Sequence, residues 1–360
     1  MNSIDSALSS RQPITLPRER FPGRCLLMTI PTPIMKKMVA YTVASGGKHN
    51  VEPLPAPLTN IFPTRGIYLL PCDETEKDRL DIMHTMFLTA RGERLLNAPF
   101  QEKAPSGPLG HRSRVLDLGC GTGIWLLAMA EKYKNTELLG IDLAGMGPES
   151  LLPNVELRFP CDYESPWSLG ERSWDIIHLQ MGLGSVANWS MLYHRVLNHL
   201  RPGVGWFEQV EIDLTPRCDD GTLGEGALKM WYDSLVGATS AIGRSIAYDP
   251  QTGQKLRDTG FTDIKEEIYM LPLNGWPTDR KDHRVGLWYH IALSDGHENT
   301  GGYGLEAMSL APLSRIYQWP VDHVRRLCAD ALQQVSDGRI HAYNCLHVWT
   351  ARAPYPNEAR

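Results

Sequence analysis

The chain has 360 residues, 42% of them hydrophobic and 21% charged, with a net charge of -5. That length buries a sizeable core without difficulty, while the acidic balance and the lack of any Lys/Arg run longer than Lys36-Lys37 argue against direct nucleic-acid binding. Seven scattered cysteines with no Cys-x-x-Cys pair fit reduced thiols rather than a disulfide framework or a zinc site, and the longest early apolar run, 25–30, is too short for a signal-peptide core or a membrane span.

Residues 1–60 are rich in Ser, Pro and Gly and lack any sustained period, so they read as a mobile amino-terminal arm. A globular domain is expected over 61–355. Pro71-Cys72-Asp73-Glu74 resembles a helix start with acids in its first turn, followed by Leu80, Met83, His84 and Phe87 at helical spacing. After turn residues 105–110 comes the short apolar run Val115-Leu116-Asp117-Leu118, a buried strand that ends in glycines. Helix over 124–133, strands over 138–143, 155–159 and 174–179, helix over 189–200 and a fifth strand over 206–214 continue the alternation. Helices are expected over 223–241, 251–259, 281–293 and 321–335, with late strands over 262–271 and 340–351. The pattern predicts an α/β fold with a doubly wound, mostly parallel seven-stranded sheet of the Rossmann-like kind. Helical insertions at about 221–247 and 275–318 are placed to form a lid.

The chemistry-bearing motif is Asp117-Leu118-Gly119-Cys120-Gly121-Thr122-Gly123 between the first strand and its helix. Glycines there let backbone approach a ligand closely, and the helix start offers unpaired N–H groups. A dinucleotide fingerprint needs its third glycine at the sixth position, which is Ile124 here, and Asp117 would repel a pyrophosphate. An acid before the loop instead suits the ammonium of a methionine moiety. Asp142 at the end of the second strand suits ribose hydroxyls, and Asp162 just past the third suits an adenine amino group. With Gly119, Cys120, Gly121, Gly123, Leu143, Tyr163 and Gln180 around them, these acids outline a crevice for S-adenosyl-L-methionine, as in a class I methyltransferase. A turn or capping role is the plain reading of any single Asp.

A sulfonium donor asks for alignment and dryness rather than a nucleophilic triad. No His/Cys spacing suggests a metal, and Cys120 reads as a small residue fitted to the turn. His178, at the end of the fourth strand, is either a weak catalytic candidate as a base or a satisfied core histidine. Glu208 and Glu211, with Asp213, make the fifth strand acidic, which favours a cationic acceptor if they face the crevice and is a solvated edge if they do not. Trp206, Trp231, Trp276 and Trp288 are either a substrate pocket or core.

Several blocks between residues 66 and 354 resemble the LaeA-type methyltransferases of filamentous fungi. They include Leu70-Pro71-Cys72-Asp73-Glu74, the glycine block through Ile124-Trp125, Glu164-Ser165-Pro166-Trp167, Ile177-His178-Leu179-Gln180-Met181-Gly182, residues 206–213, and His341-Ala342-Tyr343-Asn344. The resemblance implies a nuclear regulator, with the cytoplasm as a second location, acting with velvet-domain proteins on secondary-metabolite gene clusters and sporulation. The acidic balance and the short apolar runs lead us to expect no direct nucleic-acid or membrane binding. Val204-Gly205 and the Gly-rich stretch 299–306 depart from the family pattern, which keeps open a metabolic small-molecule N- or O-methyltransferase or a cofactor-binding scaffold without turnover.

Overall fold

The computed structural model describes residues 69–103, 112–294 and 303–358. The arm expected over 1–60 and the turn over 105–110 lie outside the described residues. In chain order the elements are α1 (Glu74–Ala90), β1 (Arg114–Leu118), α2 (Ile124–Lys132), β2 (Glu137–Ile141), β3 (Val155–Arg158), β4 (Ile176–Gln180) and α3 (Trp189–His199). Then follow β5 (Trp206–Arg217), α4 (Ala227–Ala241), α5 (Thr252–Thr259), β6 (Thr262–Pro272), α6 (Arg280–Ser294), α7 (Tyr303–Ala311), a π-helical turn (Pro312–Ile316), α8 (Val321–Ser336) and β7 (Tyr343–Arg352).

Seven strands form one sheet in the order β3-β2-β1-β4-β5-β7-β6. β7 runs antiparallel to both β5 and β6, and the other pairs are parallel. The chain moves outward from β1 to β3 and then returns to the other side of β1 at β4. This reversal opens a crevice at the carboxyl ends of β1 and β4, where open α/β sheets bind ligands.

Three differences from the expected elements have local causes. Trp174 makes only an isolated bridge to Leu200 before β4 begins. The helix expected from 223 starts at Ala227, where the Gln334 side chain of α8 accepts from the Leu228 N–H at 2.8 Å. The Gly-rich stretch 299–306 hides the start of a helix: from Tyr303 it is α7, and a Cβ on Gly304 would lie 2.1 Å from the Ala292 carbonyl of α6. Glycine there is a device for close helix packing, which composition alone reads as loop. Residues 299–302 are outside the described residues.

Strand alternation splits the apolar side chains between two faces. Leu116, Leu118, Ile177, Leu179 and Phe207 face α3 and α5, with Leu192, Val196 and Leu256. Val115, Ile176 and Trp206 face α2, with Trp125, Leu126 and Met129. A larger core joins α1, α4, α6, α7 and α8 to the far ends of β5, β6 and β7 through Phe87, Trp231, Leu235, Tyr289 and Cys328. Trp206, Trp231, Trp276 and Trp288 all belong to this framework rather than to a ligand pocket. Trp231 donates to Ser309 and Trp276 to the Ala342 carbonyl.

A polar row crosses the α2 face at one level. The register aligns Gly140 of β2 with Asp117, Asp117 with His178, and His178 with Glu208. Glu208 is wholly buried; it accepts from Arg91 at 2.5 Å and from the Asn97 and Ala98 N–H groups at 2.6 and 2.7 Å. Glu211, on the opposite face, is buried too and accepts from the Gly182 and Leu183 N–H groups at 3.0 and 3.1 Å. Neither acid reaches the ligand crevice, so the expectation that they form an acidic mouth is corrected. Each is consumed in fixing a loop: Glu208 holds the segment after α1, and Glu211 holds the turn after β4.

Two outcomes follow from these placements. Glu208→Ala strands the buried Arg91 guanidinium and is expected to destabilise the fold by about 3–5 kcal/mol in urea unfolding, whereas Arg91→Met with Glu208→Leu regains only the part due to the stranded charge, the Asn97 and Ala98 N–H groups staying unpaired. Burial raises the Glu211 carboxyl from 4.5 to about 7, outweighing the hydrogen bonds from Leu183, Gln209 and Gly182 that lower it. The folded chain therefore holds this proton more tightly than the unfolded one. Its contribution is complete below the unfolded value and is lost as pH rises through about 7. Melting temperature is expected to fall between about pH 5 and about pH 8 in the parent chain, with that part of the slope flattened in Glu211→Gln.

Candidate active site

β1 ends in a loop whose three glycines all take left-handed φ values: 70° at Gly119, 54° at Gly121 and 73° at Gly123. Side chains other than glycine are strained there. The Gly119 and Cys120 N–H groups donate to the Ile141 carbonyl at 2.9 and 3.1 Å, which ties the loop to the end of β2. Asp142 completes the tie: one carboxylate oxygen accepts from the Gly121 N–H at 2.8 Å, the other from the Ala144 N–H at 2.9 Å. Cys120 is buried beneath the loop, and burial pushes its thiol well above the ordinary range, so it is no nucleophile at neutral pH.

The loop borders a cavity of about 290 Å³. Every expected cofactor-binding residue except Gly123 lines it: Asp117, Gly119, Cys120, Gly121, Asp142, Leu143, Asp162, Tyr163 and Gln180, together with His178. Gly123 instead starts α2 just behind the loop, packed near Leu157 and Pro148. Asp162 has both oxygens engaged locally, accepting from the Glu164 N–H and the Ser165 hydroxyl at 2.8 Å each. Tyr163 lies over Gly119, and a Cβ there would meet its ring at 3.4 Å.

The acids fit a cationic, hydroxyl-bearing ligand. Asp117 is buried and bonds His178 Nδ1 at 2.8 Å, and burial raises both its carboxyl and that of Asp142. Neither acid has a Lys or Arg partner among the described residues. A buried carboxylate without a cation is costly, and a ligand that brings an ammonium, a sulfonium and ribose hydroxyls supplies what both lack. His178 is stacked on Trp125 with ring centroids 3.9 Å apart and planes 6° apart, and its Nε2 is buried without a partner among the described residues.

Two parts of the site were not foreseen. The first is the roof: Glu76, Arg79, Leu80, Met83, His84 and Phe87 of α1 all line the cavity. Their helical spacing is visible in the sequence; which face of the sheet they cover is not. Arg79 and Glu76 form a buried two-point pair with both contacts at 2.7 Å. Thr122 of the glycine loop donates to Asp81 of α1 at 2.8 Å. Burial, with help from the nearby Arg91 charge, lowers His84 to about 3, so its imidazole is neutral.

The second part is a latch. Arg244, just past α4, lines the cavity, donates to Glu164 at 2.6 Å and also to the Ser185 carbonyl. The other Glu164 oxygen accepts from the Ala187 N–H at 2.8 Å. The insertion at 221–247 thus reaches the cavity rim through one guanidinium. Among the described residues no cluster of His, Cys, Asp or Glu could hold a metal, and no helix is long and apolar enough to cross a membrane.

Comparison with known proteins agrees with this geometry. Residues 84–261 match the methyltransferase domain family. A secondary metabolism regulator of Cochliobolus heterostrophus is 48% identical over 293 residues, covering 81% of this chain and 91% of that protein. The protein-methionine methyltransferase laeA of Emericella nidulans is 48% identical over 292 residues, covering 81% of this chain and 73% of that one. A secondary metabolism regulator of Aspergillus flavus is 45% identical over 292 residues, covering 81% and 74%. With the glycine loop, the paired acids and the sheet order in place, these matches make the chain a member of the LaeA-like family of secondary metabolism regulators, an S-adenosylmethionine-dependent methyltransferase.

Proposed function

We propose that this methyltransferase acts on a methionine thioether in a protein, as a nuclear regulator of secondary-metabolite gene clusters and development working with velvet-domain proteins. The observation that carries the acceptor is the division of the cavity into a floor whose acids lack a Lys or Arg partner among the described residues and a roof of apolar side chains whose charged pair, Glu76 and Arg79, is closed on itself. Asp117, Asp142 and His178 lie on the sheet side, while Leu70, Leu80, Met83 and Phe87 lie on the other. Glu76, the roof's acid, is already paired with Arg79. With Glu208 and Glu211 buried elsewhere, nothing acidic remains free on the roof to draw in a lysine, an arginine or a polyamine.

S-adenosylmethionine supplies a methyl group already activated on a sulfonium. The chain's task is to hold that donor, aim the acceptor in line and keep water out. A thioether has no proton to lose, so it needs no general base, and being neutral it enters an apolar cavity without a large desolvation cost. The name of the Emericella nidulans relative, a protein-methionine methyltransferase, supports this acceptor. Nuclear residence and the velvet partnership rest on the resemblance of the sequence blocks quoted above.

The test uses the full chain with methyl-labelled S-adenosylmethionine, offered nuclear protein or small metabolites from a filamentous fungus. Label is expected in protein, in the added extract or in the chain itself, where Met83, Met146 and Met181 line the cavity. Complete digestion should return it as S-methylmethionine. Label in methyl-lysine or methyl-arginine would overturn the acceptor, and label confined to small metabolites would make the chain a metabolic enzyme. Cofactor binding without any transfer would make it a scaffold.

A further inference from the structure

The latch at the cavity rim joins segments that the sheet keeps apart. Glu164 belongs to the loop that leaves β3, and Ser185 and Ala187 to the loop that leaves β4. In the order β3-β2-β1-β4, the ends of β2 and β1 lie between those two loops. These ends lead into Asp142 and the glycine loop, so a contact from Glu164 to the β4 side reaches across the cofactor crevice. Glu164 makes two such contacts. One carboxylate oxygen accepts from the Ala187 and Asn188 N–H groups at 2.8 and 3.3 Å, and the other from the Arg244 guanidinium at 2.6 Å. Arg244 is itself moored on the β4 side. It donates to the Ser185 carbonyl, and the carbonyl of its neighbour Ser245 accepts from the Gly184 N–H at 3.1 Å.

The crossing lies directly on the cavity wall, which Glu164, Ser165, Ser185 and Arg244 all line. Tyr163, the residue before Glu164, already lies over Gly119. The crossing is also open to water in a way the framework pairs are not. The Glu164 and Arg244 side chains are 20% and 22% exposed, against 0% and 2% for Glu208 and Arg91. A partly hydrated pair opens at modest cost because water takes over its contacts, whereas opening a wholly buried pair strands both charges.

We propose that Glu164 and Arg244 form a gate across the crevice, which opens for S-adenosylmethionine to enter and for S-adenosylhomocysteine to leave. Its contacts run between protein groups, so the gate adds no affinity of its own and slows entry and exit by the same factor. Glu164 carries both crossing contacts, and Arg244 carries one of them. The inference needs the cofactor to be S-adenosylmethionine but is independent of the methyl acceptor.

The experiment follows association and dissociation of S-adenosylhomocysteine by stopped-flow tryptophan fluorescence, with Trp125 on the cavity wall as the reporter. Arg244→Gln is expected to raise both rate constants by about 3- to 10-fold, and Glu164→Ala by about 10- to 50-fold, with Kd changed less than about twofold. Adding Arg244→Gln to Glu164→Ala should bring no further gain, because the crossing is already broken. Faster dissociation with association unchanged would mean that these side chains hold the cofactor itself, and would overturn the gate. Unchanged rates in both variants, or a double variant whose gains multiply, would overturn it as well. Should Glu164→Ala fail to fold, Glu164→Gln takes its place: its amide oxygen still accepts from the Ala187 N–H, so it should match Arg244→Gln. Exchange at the parent rate in Glu164→Gln would sink the proposal.

Discussion

The structure depends on how a row of polar side chains is buried across the middle of the sheet. Asp117, His178 and Glu208 sit side by side on adjacent strands, buried beneath α1 and α2. Ionised groups survive there only with partners. Glu208 receives its full complement from Arg91 and two backbone N–H groups just after α1. Asp117 receives one imidazole and no Lys or Arg among the described residues. One half of the row is thus closed by the protein, and the other is left for a ligand to close. The ligand pocket lies at the unfinished half, where the chain reverses direction across the sheet.

Closing that half against solvent falls to segments remote in sequence. α1 forms the roof and is pinned to the glycine loop by the Asp81–Thr122 hydrogen bond. Arg244 arrives from the insertion after α4, and Glu164 from the loop after β3; their contact also gathers the backbone at Ser185 and Ala187. Glu211 stabilises the same region from below by holding the turn at Gly182 and Leu183. These contacts are side chain to backbone or side chain to side chain across long separations. They position the cavity walls without touching the site of chemistry.

That distinction explains what was legible in the sequence. The alternation of strands and helices and the glycine loop are local signals with direct mechanical causes, and the seven-stranded sheet follows from them. Asp117 and Asp142 are legible because the turn places them at strand ends, whatever the rest of the chain does. Glu208 and Glu211 are not, because strand periodicity tells which residues share a face but not which helix covers it. An acid on β5 reads equally as mouth, edge or core until Arg91, more than a hundred residues earlier, is seen against it. Arg244 gives no local sign of its role at all. α7 was hidden for the opposite reason: Gly304, which reads as a loop residue in composition, lets α7 approach α6 closely.

The polarity of the cavity bears directly on acceptor chemistry. Its charge lies on the sheet side, where the donor's cationic and hydroxyl groups need it, and the α1 side is left mainly to aliphatic, aromatic and thioether groups. A lysine acceptor entering from that side would have to shed both its hydration and its proton, with Glu76 already spent on Arg79. A thioether sheds neither. Weak as it is as a nucleophile in water, it loses nothing on entering a dry cavity, and the sulfonium it meets is attractive to any lone pair aligned with the S–methyl bond. A roof of apolar side chains and one self-paired ion pair over a charged floor therefore discriminates between acceptors by what each must give up on entry, before any specific contact to the acceptor is made.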